Sequence, residues 1–546
     1  MMHESEMHVT DRRREAVKEF NTTGKCIPSK HYMVDLSERV REITKLVDAG
    51  KYFTINRARQ YGKTTTIAFL TNYLKAEYDV LSLDFQKISN AAFQSEEAFV
   101  QAFSRQVLAR GKKLPIPDSV KEKLQEYISR KEDKAVFDEL FSALSKWCEE
   151  SERPVVMIID EVDTAANNQV FLDFLAQLRA DYLEREDDPE EKTFWSVILA
   201  GVTDVKHLRS RLRPEDAYKV NSPWNIAADF DIDMSLSKNG IKGMLEDYEL
   251  DHHTGMDTGA IAESIREYTN GYPYLVSRIC QLIDVKMVPE KFETLSEAWT
   301  LYGVDEAVKR ILQEDNSFFE SAMGKLINYP NLKEQLRNIL MRGETIAYLP
   351  DDEEQKQLRM YGFIRNHHNT VAVSNRIFEM RLYYYFIGES RKNNDLKQLA
   401  AANKSVFVEE DGWLDVRTIM EHFILEHNRI HGEDSEKFLE EEGRERFLTY
   451  LSPIINGTGT YSIEEQTRDH SRMDVVIHYL GRRYILELKV WHGERYNEKG
   501  EQQILRYLDY WKLDTGYMLS FNFNKNKETG VRPVRIGDRL LYEGIV

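Results

Sequence analysis

The chain has 546 residues, 42% of them hydrophobic and 30% charged, with a formal net charge of −18. That length suggests three or four domains at roughly 100–200 residues each. The charge argues against a general nucleic-acid coat protein, whose affinity rests on phosphate neutralisation, though a local basic groove stays compatible with it. No apolar run approaches the ~18 residues of a membrane span, the first twenty residues lack an apolar signal core, and the three cysteines, Cys26, Cys148 and Cys280, lie far apart. A cytoplasmic protein with no membrane segment, no disulfide framework and no cysteine zinc site is expected.

Residues 1–30 read as a polar lead-in. From Lys51 the pattern alternates. Tyr52–Asn56 predicts a strand, Lys63–Lys75 a helix, and Asp79–Phe85 a second strand. Residues 95–150 carry 3.6-residue apolar spacing, clearest in VFDELFSALSKWCEE. After Pro154 the run VVMIID is short and continuously apolar, as in a buried parallel strand. A helix at about 168–185 and the strand SVILA at Ser196–Ala200 follow. Strands alternating with helices predict a doubly wound parallel sheet.

Between the first strand and helix stands INRARQYGKTTTIAFL, the setting of a phosphate-binding loop, where backbone N–H groups and a helix N-terminus face an anion. Lys63 would reach terminal phosphates and Thr64 would hold Mg²⁺ through its hydroxyl. Arg57 occupies the place of the first glycine in G-x-x-x-x-G-K-[ST], so the loop is degenerate. The nucleotide-binding set is Arg59, Gln60, Gly62, Lys63, Thr64, Thr65 and Asp160. In VVMIIDEVDTA, Asp160 is the expected partner of Mg²⁺ with Thr64, and Glu161 the expected base on the attacking water.

The segments YMVD (32–35), RARQYGKTT, IIDEVD, LAGVTDV and TNGYPYL together resemble bacterial AAA-ATPase-like proteins, and the wider group of signal-transducing ATPases with a winged helix behind the core. The resemblance covers roughly residues 20–385. It implies a sensor position at Thr203 and Asp204, and a helical-lid segment near nucleotide marked by Gly271 and Pro273. Arg209, Arg211 and Arg213 would either supply an arginine in trans or stay solvated.

Residues 238–314 predict a helical lid. At 315–385 two or three helices lead to two β-rich runs flanking HHN, the helix-then-hairpin shape of a winged helix. Residues 386–445 are a charged helical connector. The adjacent histidine pairs, His252-His253 and His367-His368, read as surface residues.

The last α/β pattern, 446–546, has expected strands near 460–465, 473–479 and 483–490. In SRMDVVIHYLGRRYILELKVW, Asp474 opens one strand, while Glu487 and Lys489 share a face of the next by period two. A tight turn at Gly481 would bring Asp474 beside them. Two carboxylates can hold Mg²⁺ and a lysine can steady the nucleophilic water or the developing charge. The arrangement D-x12-E-x-K resembles the PD-(D/E)XK nuclease superfamily over about residues 440–525, with Met473 in place of the proline. The resemblance implies Asp474, Glu487 and Lys489 as catalytic residues, Asp474 and Glu487 as metal ligands, and Gln503 and Tyr507 as its Q-x-x-x-Y feature. Glu445 is a weaker extra ligand.

The expected whole is a multidomain α/β protein that binds ATP and Mg²⁺ and couples an ATPase to a nuclease acting on nucleic acid. The alternative is an ATP-dependent signalling or binding switch whose C-terminal domain binds nucleic acid or a partner without cutting. The sequence leaves homo-oligomer formation open.

Overall fold

The computed structural model describes residues 18–130, 136–166, 168–188, 190–202, 223–341, 345–390, 400, 404–409, 411–431, 440–455, 458–466, 472–490, 494–522 and 527–546. The chain divides into two compact units that do not follow chain order. One comprises Met1–Ile55, Tyr61–Arg266 and Pro273–Trp299; the other comprises Asn56–Gln60, Glu267–Tyr272 and Thr300–Val546.

The first unit is built on α1 (Ser37–Asp48), β1 (Phe53–Asn56), α2 (Lys63–Leu74), β2 (Asp79–Asp84), α3 (Glu96–Arg110), α4 (Asp118–Ser129), α5 (Phe137–Glu150), β3 (Val155–Asp160), α6 (Gln169–Asp187) and β4 (Ser196–Gly201). The strands lie in the order β1-β4-β3-β2. β2, β3 and β4 run parallel, with Asp84 opposite Asp160 and Ile159 opposite Leu199. A parallel bridge joins Phe53 to Ala228.

All six residues of β3 are buried, as a central strand covered on both faces requires. Alternation then divides its side chains between two cores. Val155, Met157 and Ile159 join an aromatic cluster that holds Phe85, Phe99, Phe103, Phe137, Phe141 and Phe174 from the α3–α6 side. Val156 and Ile158 join Val40, Ile43, Ile67 and Leu70 from α1 and α2. The same parity carries Asp160, two residues beyond Ile158, to the face that α2 covers. Arg185 at the end of α6 fastens the opposite rim, donating to Phe194 O, Trp195 O and Gly50 O at 2.6, 2.7 and 2.8 Å. The helices α7 (Lys238–His252), α8 (Thr258–Thr269), whose last three residues belong to the second unit, and α9 (Pro273–Val285) follow. In the described residues no helix is long and apolar enough to cross a membrane.

In the second unit three helices, Ser317–Asn328, Pro330–Met341 and Glu353–Met360, precede the hairpin of β5 (Ile364–His367) and β6 (Thr370–Val373). His368 and Asn369 take φ of 49° and 64°, as a two-residue turn matching the strand twist demands. An antiparallel bridge from Ala347 to Thr370 widens the hairpin. The helix Arg376–Ser390 follows.

The C-terminal sheet contains β7 (Gly459–Gln466), β8 (Arg472–Tyr479), β9 (Arg482–Val490), β10 (Thr515–Phe521), β11 (Gly530–Ile536) and β12 (Arg539–Ile545), in the order β11-β12-β10-β9-β8-β7. β7, β8 and β9 form an antiparallel meander; β10 is parallel to β9, reached through the helix Glu494–Trp511. Ile504, Tyr507 and Leu508 of that helix pack on Val476, Ile485, Met518 and Leu541. Tyr479 pairs with Arg482, and the two residues between them, Leu480 and Gly481, have φ of 50° and 80°. This is the tight turn expected at Gly481.

Asp181 in α6 supplies a test of the first unit. Burial, aided by the charge of Glu184, pushes its carboxyl up to about 7. The folded state therefore keeps a proton that the unfolded chain, with an ordinary pKa of about 3.9, releases first. Stability from this group falls as pH rises between about 4 and 7, by up to about 4 kcal/mol. Asp181→Asn should match the parent protein in melting temperature at about pH 4 and below, and exceed it by several degrees at pH 8. Parallel melting curves across that range would remove the assignment.

Candidate functional site

The loop from β1 to α2 owes its shape to two left-handed residues. Gln60 has φ 57° and Gly62, the N-cap of α2, has φ 80°. A Cβ on Gly62 would meet only ordinary contacts, Pro273 Cγ at 3.7 Å, so backbone conformation rather than space requires glycine there. With no side chain capping α2, the N–H groups of its first turn are the donors a bound anion would take up. Lys63 and Thr65 are buried in that turn. Thr65 Oγ1 accepts the Cys26 N–H at 3.0 Å, which ties the segment before α1 to the head of α2.

Thr64 Oγ1 donates to Asp160 Oδ2 at 3.1 Å, and the Glu161 N–H donates to Asp160 Oδ1 at 2.9 Å. Burial pushes the Asp160 carboxyl up; the Glu161 N–H, the Thr64 hydroxyl and the Lys63 charge draw it back, and the Asp84 charge adds to the rise. A cation beside Asp160 would offset that cost of burial. A hydroxyl and a buried carboxylate are the hard oxygen donors that Mg²⁺ takes, usually while keeping several waters. Thr64 and Asp160 therefore fit Mg²⁺. Glu161 has φ 58°, a left-handed conformation uncommon for a non-glycine residue, at the point where β3 ends.

Two acids escaped the sequence reading. Asp84 ends β2 directly opposite Asp160, and its parity with Val80, which packs with α2, sends both to one face. The polar end of the apolar run DVLSLD was the available signal. Asp163 accepts the Val202 N–H at 2.7 Å, and a Cβ on Gly201 would lie 2.9 Å from Val162 and 3.1 Å from Asp163. Asp163 so holds the end of β4 against the loop after β3. Thr203, Asp204, Arg209, Arg211 and Arg213 lie outside the described residues.

Arg59 and Gln60 belong to the second unit. Arg59 donates to Ser321 Oγ at 3.2 Å and its carbonyl accepts the Tyr272 hydroxyl at 2.5 Å. In the C-terminal sheet of that unit, Glu487 is fully buried and Lys489 Nζ lies 2.8 Å from its Oε1. The shared face expected of these two is thus observed. Val475 pairs with Leu486, so the β8–β9 register runs on toward Asp474 and Glu487. The backbone of Asp474 lies in β8, and its side chain is outside the described residues. Gln503 Nε2 donates to Tyr507 Oη at 2.8 Å along one helix face. Glu445 lies 3.9 Å from Arg337, an ion pair. No group of three or more His, Cys, Asp or Glu suited to a metal occurs among the described residues.

A parallel sheet whose first loop opens a helix with Gly-Lys-Thr, and whose third strand brings an aspartate onto that threonine, defines a P-loop nucleotide-binding fold of the ATPase type. The chain belongs to the AAA-like domain family, which matches residues 26–386. Residues 387–546 lie beyond that match. No curated protein matches the chain. Among solved structures, the Walker-type ATPase PABY2304 of Pyrococcus abyssi is 14% identical, with a TM-score of 0.46, covering 67% of this chain and 99% of its own. Cdc6p from Pyrobaculum aerophilum is 14% identical, at TM-score 0.34, over 68% and 98%. The Aeropyrum pernix ORC1 protein, solved in complex with DNA, is 10% identical, at TM-score 0.31, over 66% and 94%.

Because φ at Gly62 is 80° and the space beside it is open, Gly62→Ala should destabilise the protein through the backbone alone, by about 1 kcal/mol. Urea unfolding of the variant should shift by that amount and no more. A loss of several kcal/mol would mean that the site cannot accept a methyl group.

Proposed function

We propose that this protein is an ATP-binding and ATP-hydrolysing switch that governs a Mg²⁺-dependent nuclease domain acting on nucleic acid. The nucleotide half draws on family membership and on the Thr64–Asp160 hydrogen bond. Gly62, Lys63, Thr64 and Thr65 hold the phosphates at the head of α2, with Arg59 and Gln60 leading into the loop. Thr64 and Asp160 hold Mg²⁺, which neutralises charge on the phosphates. Glu161 accepts the proton of the attacking water. Gly271 and Pro273 mark the lid segment at nucleotide, and the nearness of Pro273 to the loop, 3.7 Å from where a Cβ on Gly62 would stand, supports this. The helices and hairpin of 315–385 take the role of a winged helix.

The nuclease half rests on one observation: Lys489 is ion-paired to the buried Glu487 on a strand in register toward Asp474. The surrounding order supports it. One helix (Glu440–Ile455), three meander strands, a crossover helix and a parallel strand make an α-β-β-β-α-β unit that carries Asp474, Glu487 and Lys489 on adjacent central strands. Asp474 and Glu487 provide hard oxygen ligands for Mg²⁺. When bound, the cation supplies a nucleophilic water and stabilises charge on the phosphate. Lys489 holds a proton donor beside Glu487 and stabilises the negative charge that develops.

The complete enclosure of Glu487, with Lys489 as its counter-charge, favours a second reading. There the domain binds nucleic acid or a partner under ATP control without cutting.

Plasmid nicking with Mg²⁺ or Mn²⁺ separates the two. Asp474→Ala and Glu487→Ala should abolish cleavage, and Lys489→Ala should lower it at least a hundredfold while metal still binds. No nicking by the parent protein, with DNA retained in a mobility shift, would leave the binding switch. At the other site, Lys63→Ala should abolish ATP binding, whereas Glu161→Gln should bind ATP and hydrolyse it at least a hundredfold more slowly. Unchanged nucleotide affinity in the Lys63 variant would refute the nucleotide site.

A further inference from the structure

The six residues Glu267–Tyr272, the last three of α8 and the turn that leads to α9, pack within the second unit, together with Asn56–Gln60. Their last member reaches the phosphate-loop side. The Tyr272 hydroxyl donates to Arg59 O at 2.5 Å, three residues before Gly62. Its ring lies 5.4 Å from Phe318 and 6.1 Å from Phe378. A Cβ on Gly362, at φ 82°, would stand 2.9 Å from Ala58 Cβ and 3.6 Å from the Tyr272 hydroxyl, so the backbone there leaves no slack.

The other end of the segment reaches the β8–β9 hairpin. The Arg376 guanidinium sits 4.7 Å over the Tyr268 ring and donates to His478 Nε2, which requires the imidazole proton on Nδ1. Arg376 and His478 are both buried. Tyr268 donates to Asp305 at 2.8 Å, Asn270 Nδ2 donates to Ser374 O at 3.0 Å, and Arg483 lies 3.9 Å from Glu267. His478 follows Asp474 by four residues, and its partner Arg483 precedes Glu487 by four. One short segment is therefore fastened by its tyrosines to the loop that enters α2 and to the hairpin that carries Asp474, Glu487 and Lys489.

We propose that Tyr272, Arg376 and His478 are positioning residues that couple nucleotide binding to the geometry of the nuclease hairpin. This rests on the function proposed above. When the loop closes on phosphates, Arg59 O moves with it. Tyr272 follows, and close-packed side chains pass the shift to Tyr268, Arg376 and His478 because such an interior moves between discrete arrangements rather than compressing. Coupling free energies of this kind change activity by on the order of tenfold.

The test compares the full chain with Tyr272→Phe, which keeps the ring and removes one hydroxyl, and with His478→Ala and His478→Gln, the last restoring an acceptor for Arg376. Hydrogen exchange is followed with and without ATP and Mg²⁺, alongside plasmid cleavage. In the parent protein ATP should change exchange at residues 63–66 and at 475–489, and cleavage by about tenfold. In Tyr272→Phe and His478→Ala the response at 63–66 should remain, the hairpin response should vanish, and the ATP effect on cleavage should fall below about twofold. His478→Gln should recover it. A hairpin that ignores ATP in the parent protein while 63–66 respond overturns the coupling. So does a hairpin that still responds in both variants. Absent cleavage in the parent protein overturns the nuclease reading instead, and the exchange result still decides the coupling.

Discussion

Thr64 and Asp160 meet because of a parity constraint. β3 is buried on both faces, so each of its residues is assigned to one core or the other by alternation alone. Ile158 belongs to the α1–α2 side, and Asp160 inherits that side. Shifting the register of β3 by one residue would send the carboxylate into the phenylalanine-rich core opposite. The hydrogen bond from Thr64 is thus the visible end of a packing decision made along the whole strand. It also explains why the acid tolerates burial: a hydroxyl, a backbone N–H and a lysine charge converge on it.

The C-terminal sheet obeys the same logic with a different result. Glu487 lies between Leu486 and Leu488, and Lys489 follows on the face of Glu487. A carboxylate placed in such a strand is costly unless it is paired. Lysine two residues along the same strand supplies a counter-charge, 2.8 Å from the carboxylate. A buried pair of this kind contributes little to stability compared with apolar residues of the same volume, so function is the better reason for its presence.

Much of this was legible in the sequence. Apolar period and length gave β1–β4 and β7–β9 to within a residue or two, since VVMIID and SVILA have no other way to bury themselves, whereas β10, β11 and β12 were missed. GKT after a strand identified the loop, and the two-residue spacing of Glu487 and Lys489 fixed their common face. Strand order was not legible, because pairing of β1 with β4 depends on contacts far apart along the chain. Asp84 was hidden for the same reason: its role follows from lying opposite Asp160 in a neighbouring strand, not from its own surroundings. The grouping of residues 56–60 and 267–272 with the C-terminal half escaped too. Nothing local in NRARQ or EYTNGY shows that a tyrosine hydroxyl will seek the Arg59 carbonyl.

The strand order β1-β4-β3-β2 also governs how the chain is made. β1 ends at Asn56, yet its sheet neighbour β4 starts only at Ser196, and its other bridge waits for Ala228. β2 and β3 can pair as soon as Asp160 has emerged during synthesis, while β1 stays an apolar strand with unsatisfied edges until β4 arrives. The nucleotide loop is therefore the last part of the sheet to be seated, although it is encoded first. Non-local pairing of this kind is slow and leaves the nascent chain exposed to aggregation. The strand that leads into the loop consequently lacks its sheet neighbour until more than a third of the protein has been translated.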